Sequence, residues 1–293
     1  MCEDWYKIFD IYFVLSVIAV IYYAYILYLI TSSTSLALRS PYFRIFVVTG
    51  IFDIIGVIAL EYTREELIIG FGPSVEFLTR LSMSLTGTIL FTHMFGCFLM
   101  TLNRYTAVCH PLRHDDMWTT LAVSVLLLAD IVIAFAAFTP LYSNHFVYKP
   151  CLNGWALKGR SESIEGIRIM SSVVTVIFEM TSLILIFLAI YGLRKYGNGH
   201  IIRTDKSLIL VTAINCALSM LECIYDISFL LNIESESVAF LKWIASQYEA
   251  YSLLIMTSNA FTIVFLSRAV RQEILHRWRL RTPTTTQIMP ATT

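Results

Sequence analysis

Seven long apolar segments are the feature of this sequence that most constrains its fold. An α-helix needs about 20 mostly apolar residues to cross the hydrocarbon core of a bilayer. Segments of this kind are predicted at residues 8–30, 43–60, 77–102, 119–141, 167–191, 207–231 and 243–266. None shows the polar–apolar alternation of a barrel strand, and helices satisfy their own backbone hydrogen bonds in lipid. The sequence therefore predicts an all-α membrane protein, a seven-transmembrane helix bundle.

The composition supports a protein whose solvent is the lipid bilayer. Hydrophobic residues make up 57% of the chain and charged residues only 14%, whereas soluble domains carry roughly 25% charged residues. The net charge is zero, which argues against a nucleic-acid partner. The N-terminal "MCEDWYK" is acidic and precedes no small-residue cleavage site, so we expect the first span to insert as its own signal.

The distribution of basic residues predicts the orientation. If the chain crosses seven times, thirteen Lys and Arg residues fall on one side and eight on the other. Basic residues prefer the cytoplasmic side of a membrane. The prediction is a multi-pass plasma-membrane protein with its N-terminus outside and its C-terminus in the cytoplasm.

Beyond the bundle of residues 1–267, the segment "RAVRQEILHRWRLR" (268–281) has an amphipathic pattern. Val270, Ile274, Leu275 and Trp278 share one helical face, and basic residues surround it. This pattern predicts a short amphipathic helix on the anionic inner leaflet, although an ordinary basic flank of the last span is an alternative. The tail 282–293 is predicted to be disordered.

One motif at the end of the third span points to a family. "LNRYTAVCHPL" resembles the Asp-Arg-Tyr signature of rhodopsin-like G-protein-coupled receptors. Together with "SPYFRIFVVTGIFDIIG" at the second span and Trp118, it resembles nematode serpentine chemoreceptors of the Srg superfamily, class g or class v, over about residues 5–280. The resemblance implies a chemosensory receptor that binds a small external ligand, activates a heterotrimeric G protein, and has neither a cofactor nor enzymatic activity.

The sequence also departs from the rhodopsin-like pattern. The sixth span lacks the Cys-Trp-x-Pro hinge, and Ala260 stands where the seventh span of those receptors carries proline. Proline-induced kinks are therefore not expected in spans five, six and seven. The proline hinge by which rhodopsin-like receptors are activated is therefore not predicted for this chain.

The resemblance assigns two groups of functional residues. Asn103, Arg104 and Tyr105 would couple to the G protein, with the neutral Asn103 hydrogen-bonding the guanidinium; a snorkelling arginine without a special role is the alternative. Asp205 could be a substitute acid for Arg104, but a solvated side chain next to Lys206 is the favoured interpretation. Asp53 and Asn259 would form a hydrated or sodium-holding polar core, and the alternative for Asp53 is a protonated carboxyl or one hydrogen-bonded to a neighbouring helix. His93 is expected to be a packing histidine rather than a ligand contact.

Depth along the helices predicts a ligand pocket between spans three, five, six and seven. The candidates for its wall are Arg80, Met83, Met170, Val174, Glu222, Asp226, Phe229, Gln247, Tyr248, Glu249 and Tyr251. Such an aromatic wall suits a small, mostly apolar ligand. Asp226 and Glu249 would either hold an amine or pair with Arg80.

The cysteines predict a possible disulfide, and the sequence lacks common catalytic motifs. Cys2 and Cys151 are the cysteines predicted to face outside, so a disulfide between them is one expectation and free thiols the other. Zinc, serine-hydrolase and phosphate-loop signatures are absent from the sequence, and no metal site is predicted. A ligand-gated cation channel or a small-solute transporter remains the alternative function.

Overall fold

The structure, a computed structural model, describes residues 10–151, 154–196, 202–231 and 238–281. The side chains of residues 196, 202–205, 244–246 and 279–281 are outside that description, as are residue Cys2 and the tail 282–293. The helices in the described ranges are α1 Ile11–Thr31, α2 Pro41–Ile69, α3 Glu76–Cys109, α4 Pro111–Met117, α5 Thr120–Ser143, α6 Glu165–Tyr196, α7 Ile202–Leu230, α8 Ala239–Ser246, α9 Tyr248–Leu266 and α10 Arg268–Arg281.

Seven of these helices are long and apolar enough to cross a membrane: α1, α2, α3, α5, α6, α7 and α9. The predicted seven-helix bundle is thereby confirmed. Local chemistry sets several helix starts. The Asp10 carboxylate accepts a hydrogen bond from the Phe13 amide at 3.0 Å, the Thr119 hydroxyl caps α5 in the same way, and Pro41 opens α2.

The second helix is longer than hydropathy predicts. It continues from residue 60 to Ile69, where Arg64 offsets part of the charge of the acids around it. Arg64, only 4% exposed, makes ion pairs with Asp10 at 2.8 Å, Glu61 at 2.5 Å and Glu65 at 2.7 Å. These pairs let the last two turns of α2 remain helical at the edge of the apolar layer.

The seventh span also differs from its predicted bounds, because it is not one helix from residue 243. The backbone leaves the helical conformation at Gln247, with φ −105° and ψ 18°. This break separates the short helix α8 from α9. Tyr248 is therefore the first residue of α9 rather than part of its interior.

Helix α3 lies at the centre of the bundle and packs against α2, α5, α6 and α7, while α9 closes the ring against α1, α2 and α7. Gly96 allows the closest approach between α2 and α3. A Cβ atom at this position would lie 2.2 Å from the Thr49 hydroxyl oxygen. The helices can approach this closely because Gly96 has no side chain.

A β-hairpin of strands β1 (Phe146–Cys151) and β2 (Gly154–Arg160) lies at one end of the bundle, which we call the hairpin face. The Phe146 amide donates to Glu76 Oε1 at 3.2 Å, and Arg160 Nη1 donates to the Leu141 carbonyl at 2.7 Å. These bonds tie the hairpin to α3 and α5. The opposite end, where α1 and α3 finish, is the Arg104 face.

At the Arg104 face, α10 packs against the end of α1. Arg277 Nη2 donates to the Ser32 hydroxyl at 2.7 Å, and the guanidinium lies 5.5 Å from the centre of the Tyr28 ring. The same side chain makes an ion pair with Glu273 at 3.0 Å. The predicted C-terminal helix is therefore present, and its charged residues hold it to the bundle.

Candidate functional site

A cavity of about 340 Å³ opens toward the hairpin face between α3, α5, α6, α7 and α9. Its wall is mostly apolar, with a few polar groups. The lining residues are Gly87, Leu90, Phe91, Phe138, Leu141, Ile164, Ile167, Arg168, Ser171, Ser172, Thr175, Glu222, Tyr225, Asp226 and Tyr248. This volume falls in the range of small-molecule pockets, roughly 300–1,000 Å³.

Two carboxyl groups of α7 face this cavity from one side of the helix. Glu222 and Asp226 are four residues apart, which places them on the same helical face, and they are 7% and 8% exposed. The Ser172 hydroxyl of α6 donates to Asp226 Oδ1 at 2.7 Å. Glu222 Oε2, in contrast, is buried and has no hydrogen-bond partner among the described residues.

The positive charge that acts on Asp226 belongs to Arg168 of α6, not to Arg80. The Arg168 guanidinium lies 4.0 Å from the centre of the Phe229 ring, and its Nη2 donates to the Tyr225 hydroxyl at 3.1 Å. A cation is stabilised over an aromatic face. Arg168 is exposed and lines the cavity, and its charge acts on both Asp226 and Glu222.

The structure places the predicted pocket residues in three groups. Glu222, Asp226 and Tyr248 line the cavity. Tyr251, Phe229 and Val174 contact its lining: Tyr251 packs on Tyr248 with ring centres 5.4 Å apart, and Val174 packs on the Phe91–Phe138 cluster. The half-buried candidates outside the described lining are Met83, Met170 and Gln247.

Arg80 and Glu249 lie elsewhere. Arg80 donates to a ring nitrogen of His145 at 2.8 Å and lies 3.5 Å from Glu76, so the expected ion pair with Asp226 or Glu249 is wrong. Glu249 faces the charged cluster of Arg64 on α2. Both residues have the predicted depth along their helices. Their side chains, however, lie on faces of α3 and α9 that are directed away from the cavity.

Sequence reasoning missed several lining residues. Arg168 belongs to the first turn of α6 and lines the cavity, but it is not among the predicted pocket residues. Phe91 and Phe138 form an edge-to-face aromatic pair across α3 and α5, with ring centres 6.0 Å apart. Their spacing in the sequence carries no signal for this contact, because it depends on which faces of the two helices meet.

A chain of buried polar side chains crosses the middle of the bundle. The Tyr23 hydroxyl donates to Asp53 Oδ2 at 2.8 Å, and His93 Nδ1 lies 2.7 Å from Asp53 Oδ1. On the other side of the ring, His93 Nε2 is 3.4 Å from the Cys97 sulfur, to which Asn259 Nδ2 donates at 3.5 Å. His93 is therefore a link in this chain and not merely a packing residue.

The chain continues from α9 into α7. Asn215 Nδ2 donates to Asn259 Oδ1, and the Ser258 hydroxyl donates to Asn215 Oδ1 at 3.2 Å. The polar groups thus join α1, α2, α3, α9 and α7 in sequence. The two residues predicted for a polar core, Asp53 and Asn259, are connected through His93 and Cys97 rather than by direct contact.

A space of about 10 Å³, enough for one water molecule, adjoins this chain. Cys97, Asn215 and Glu179 are among its lining residues. Glu179 of α6 is 2% exposed, and its Oε2 has no partner among the described groups. Glu179 is not among the residues predicted for the pocket or the polar core.

Arg104 is held at the opposite end of α3. Its Nε donates to Asn103 Oδ1 at 3.1 Å, its Nη2 donates to the same oxygen, and its guanidinium lies 4.9 Å from the centre of the Tyr42 ring. Arg104 is 7% exposed and Asn103 is fully buried. The side chain therefore points into the bundle in this structure and does not extend to the surface.

Two expectations about this site fall outside the described residues. Asp205 belongs to α7, but its side chain is not described, so its role as a substitute acid stays a prediction. Cys2 is likewise outside the description, so the Cys2–Cys151 disulfide stays a prediction. Tyr105 contacts His110, whose Nε2 is 3.4 Å from the tyrosine hydroxyl.

Comparison with known proteins gives one match over nearly the whole chain. The family model described as serpentine type 7TM GPCR chemoreceptor Srv matches residues 12–280. Shorter similarities occur to two curated receptors. Somatostatin receptor type 5 of Mus musculus is 31% identical over 104 residues, which are 35% of this chain and 27% of that protein. Its counterpart from Rattus norvegicus is 36% identical over 62 residues, or 21% and 17% of the two chains. The matched stretches thus span about a quarter or less of those receptors.

Proposed function

The chain belongs to the Srv family of serpentine seven-transmembrane receptors, and on that premise we propose that it is a chemosensory G-protein-coupled receptor. It binds a small external ligand at the hairpin face and activates a heterotrimeric G protein at the Arg104 face. The family is a receptor class, and a ligand-gated cation channel or a small-solute transporter is not favoured by the match. We further infer that this protein is a nematode receptor of the Srg superfamily.

The observation that carries this proposal is the position of two sites on one helix. Gly87, Leu90 and Phe91 of α3 line the cavity, and Asn103 and Arg104 stand near the other end of the same helix. At 1.5 Å per residue, Gly87 and Arg104 are roughly 25 Å apart along the helix axis. The pocket adjoins the half of α3 nearer the hairpin face, and the Asn103–Arg104 motif belongs to the half nearer the Arg104 face. One helix that connects both sites has the layout that transmembrane signalling requires.

The mechanism is a shift in population between resting and active arrangements. A ligand enriches the arrangement that it binds better. In the structure described here, Arg104 is enclosed by Asn103 and Tyr42, which suits a resting state in which the guanidinium is unavailable to a G protein. The buried polar chain from Asp53 to Asn215 joins the helices that would have to move relative to one another.

The proposed orientation places the hairpin face outside the cell and the Arg104 face in the cytoplasm. The bias of thirteen basic residues against eight supports it. A tag before Met1 should stain on intact cells, and a tag after Thr293 only after permeabilisation. The reverse staining pattern would reject both the orientation and the coupling role of Arg104.

The decisive experiment is second-messenger output from cells expressing the full chain, screened against panels of small odorants. Arg104→Ala should reach the surface and bind ligand but lose coupling. Arg39→Ala, which removes an exposed arginine at the same face, is the matched control and should couple normally. If Arg104→Ala signals like the wild type, the arginine is a snorkelling residue and this part of the proposal fails.

A further inference from the structure

We propose that the cavity at the hairpin face recognises a primary amine with an apolar body, and that Glu222 is the group that binds its ammonium. This inference rests on the proposed function only in taking the cavity as the ligand site. It names the chemical class of the ligand, which the family match does not.

One carboxyl oxygen of Glu222 is unsatisfied. The residue is 93% enclosed, being 7% exposed, and its Oε2 has no hydrogen-bond partner among the described residues. A buried polar atom without a partner is unfavourable by roughly 1–3 kcal/mol, and more when it is charged. Because Glu222 also lines the cavity, a ligand with donor groups is the partner that this oxygen lacks.

The charged residues in the described lining of the cavity are Glu222, Asp226 and Arg168. The charge of Arg168 acts on both acids, and Asp226 also accepts a hydrogen bond from Ser172. One cation thus faces two acids, and Glu222 Oε2 has no hydrogen-bond partner in the described part of the chain. A monovalent cation would neutralise the remaining acid.

The cavity wall around Glu222 is rich in aromatic side chains. Tyr225 and Tyr248 line the cavity beside it, and Phe91 and Phe138 form the wall on the α3–α5 side. Ammonium groups are attracted to aromatic faces by about 0.5–2 kcal/mol. The apolar body of the ligand would pack against Leu90, Leu141 and Ile167, which have no hydrogen-bonding side chains.

A neutral ligand and an anion fit less well. A hydrocarbon would leave Glu222 Oε2 unpaired after displacing any water near it, and an anion would be repelled by the two acids. An alcohol can donate one hydrogen bond but carries no charge. Comparing it with the matched amine therefore separates the contribution of hydrogen bonding to the affinity from that of ion pairing. The comparison of an amine with its matched alcohol is therefore the informative one.

The test is calorimetric titration of the full-length receptor in lipid nanodiscs with phenethylamine, tryptamine and octylamine, each beside its alcohol analogue. We expect at least one amine to bind at least tenfold more tightly than its alcohol. Glu222→Gln should abolish that preference while alcohol binding changes less than threefold. Glu249→Gln, which removes an acid of α9 that faces the Arg64 cluster, should keep the preference.

Folding of the variants is checked by their unfolding temperature. If Glu222→Gln proves unstable, Glu222→Asp is measured instead. It retains the carboxyl group and should keep part of the amine preference. Equal binding of amines and alcohols, absence of binding by all three amines, or a preference that survives in Glu222→Gln would overturn the inference. Because the readout is binding, loss of G-protein signalling with amine binding intact would reject the proposed coupling alone. Signalling to neutral odorants without amine binding would reject the amine alone.

Discussion

His93 Nδ1 lies 2.7 Å from Asp53 Oδ1, and both side chains are almost completely enclosed between α2 and α3. The other oxygen of Asp53 accepts the Tyr23 hydroxyl at 2.8 Å. This arrangement satisfies both oxygens of a carboxyl group in the middle of the bundle. It also makes the stability of the receptor depend on a polar contact in a region where packing alone would be expected to dominate.

We expect His93→Ala to lower the unfolding temperature of the purified receptor markedly, because it leaves Asp53 with one partner. Removing one member of a buried pair lowers the free energy of unfolding by about 3–5 kcal/mol. Combining it with Asp53→Asn should recover part of the loss, since the amide carries no charge. His145→Ala, at an exposed histidine, is the control. Additive losses in the double variant would show that the two residues are not coupled.

Asn103→Asp should lower basal signalling. The present Asn103 accepts from Arg104, but its own Nδ2 is buried without a partner in the described part of the chain. An aspartate would remove that orphan donor and add an ion pair, which strengthens the resting contact. Asn103→Leu, which removes the acceptor, should raise basal signalling at equal surface expression. An unchanged or higher basal level in Asn103→Asp would contradict this account of the arginine.

Gly70→Ala should loosen the β-hairpin from α2. Gly70 has φ +67°, and a Cβ there would lie 1.9 Å from the Trp155 carbonyl oxygen, so the backbone of β2 must move. Tryptic cleavage at Lys158 and Arg160 should become faster. Gly166→Ala is the matched control, because nothing lies within 4 Å of the added methyl group. Equal cleavage rates in both variants would show that the hairpin is not held at Gly70.

Arg277→Ala should release α10 from α1, because it removes the contacts to Ser32, Tyr28 and Glu273. Amide hydrogen exchange over residues 268–278 should accelerate. Arg268→Ala, at an exposed position of the same helix, should leave exchange unchanged. Faster exchange in both variants would indicate general fraying of α10 rather than loss of a specific contact.

The same contact predicts a pH dependence. Burial raises the pKa of Glu273, but hydrogen bonds from Arg277 and Ser33 outweigh it, so the pKa lies below the usual value of 4.5. A carboxyl whose pKa is lowered by folding stabilises the folded state above its ordinary pKa and loses that contribution as the pH falls through the lowered value. Protection of α10 should therefore hold from neutral pH to about 4.5 and decline below it. Arg277→Ala should remove this acid-dependent decline.

The sequence by itself determined the number of spans and the place of the Asn-Arg-Tyr motif. Both are local properties: about 20 apolar residues are enough to identify a helix that crosses lipid, and Asn103, Arg104 and Tyr105 are adjacent in the chain. The start of α10 at Arg268 is equally local, because it depends on the periodicity of one short segment. Depth in the bundle also follows from counting residues along each helix.

Only the tertiary structure decided which residues at a given depth meet. Glu249 and Tyr248 are neighbours in sequence, yet one faces the Arg64 cluster and the other lines the cavity, because successive residues of a helix point about 100° apart. The contact of His93 with Asp53 and the approach of Arg168 to Asp226 depend on how neighbouring helices are rotated and on how closely they pack. Those rotations are set by many weak contacts summed over the whole bundle, and no single segment of the sequence contains them.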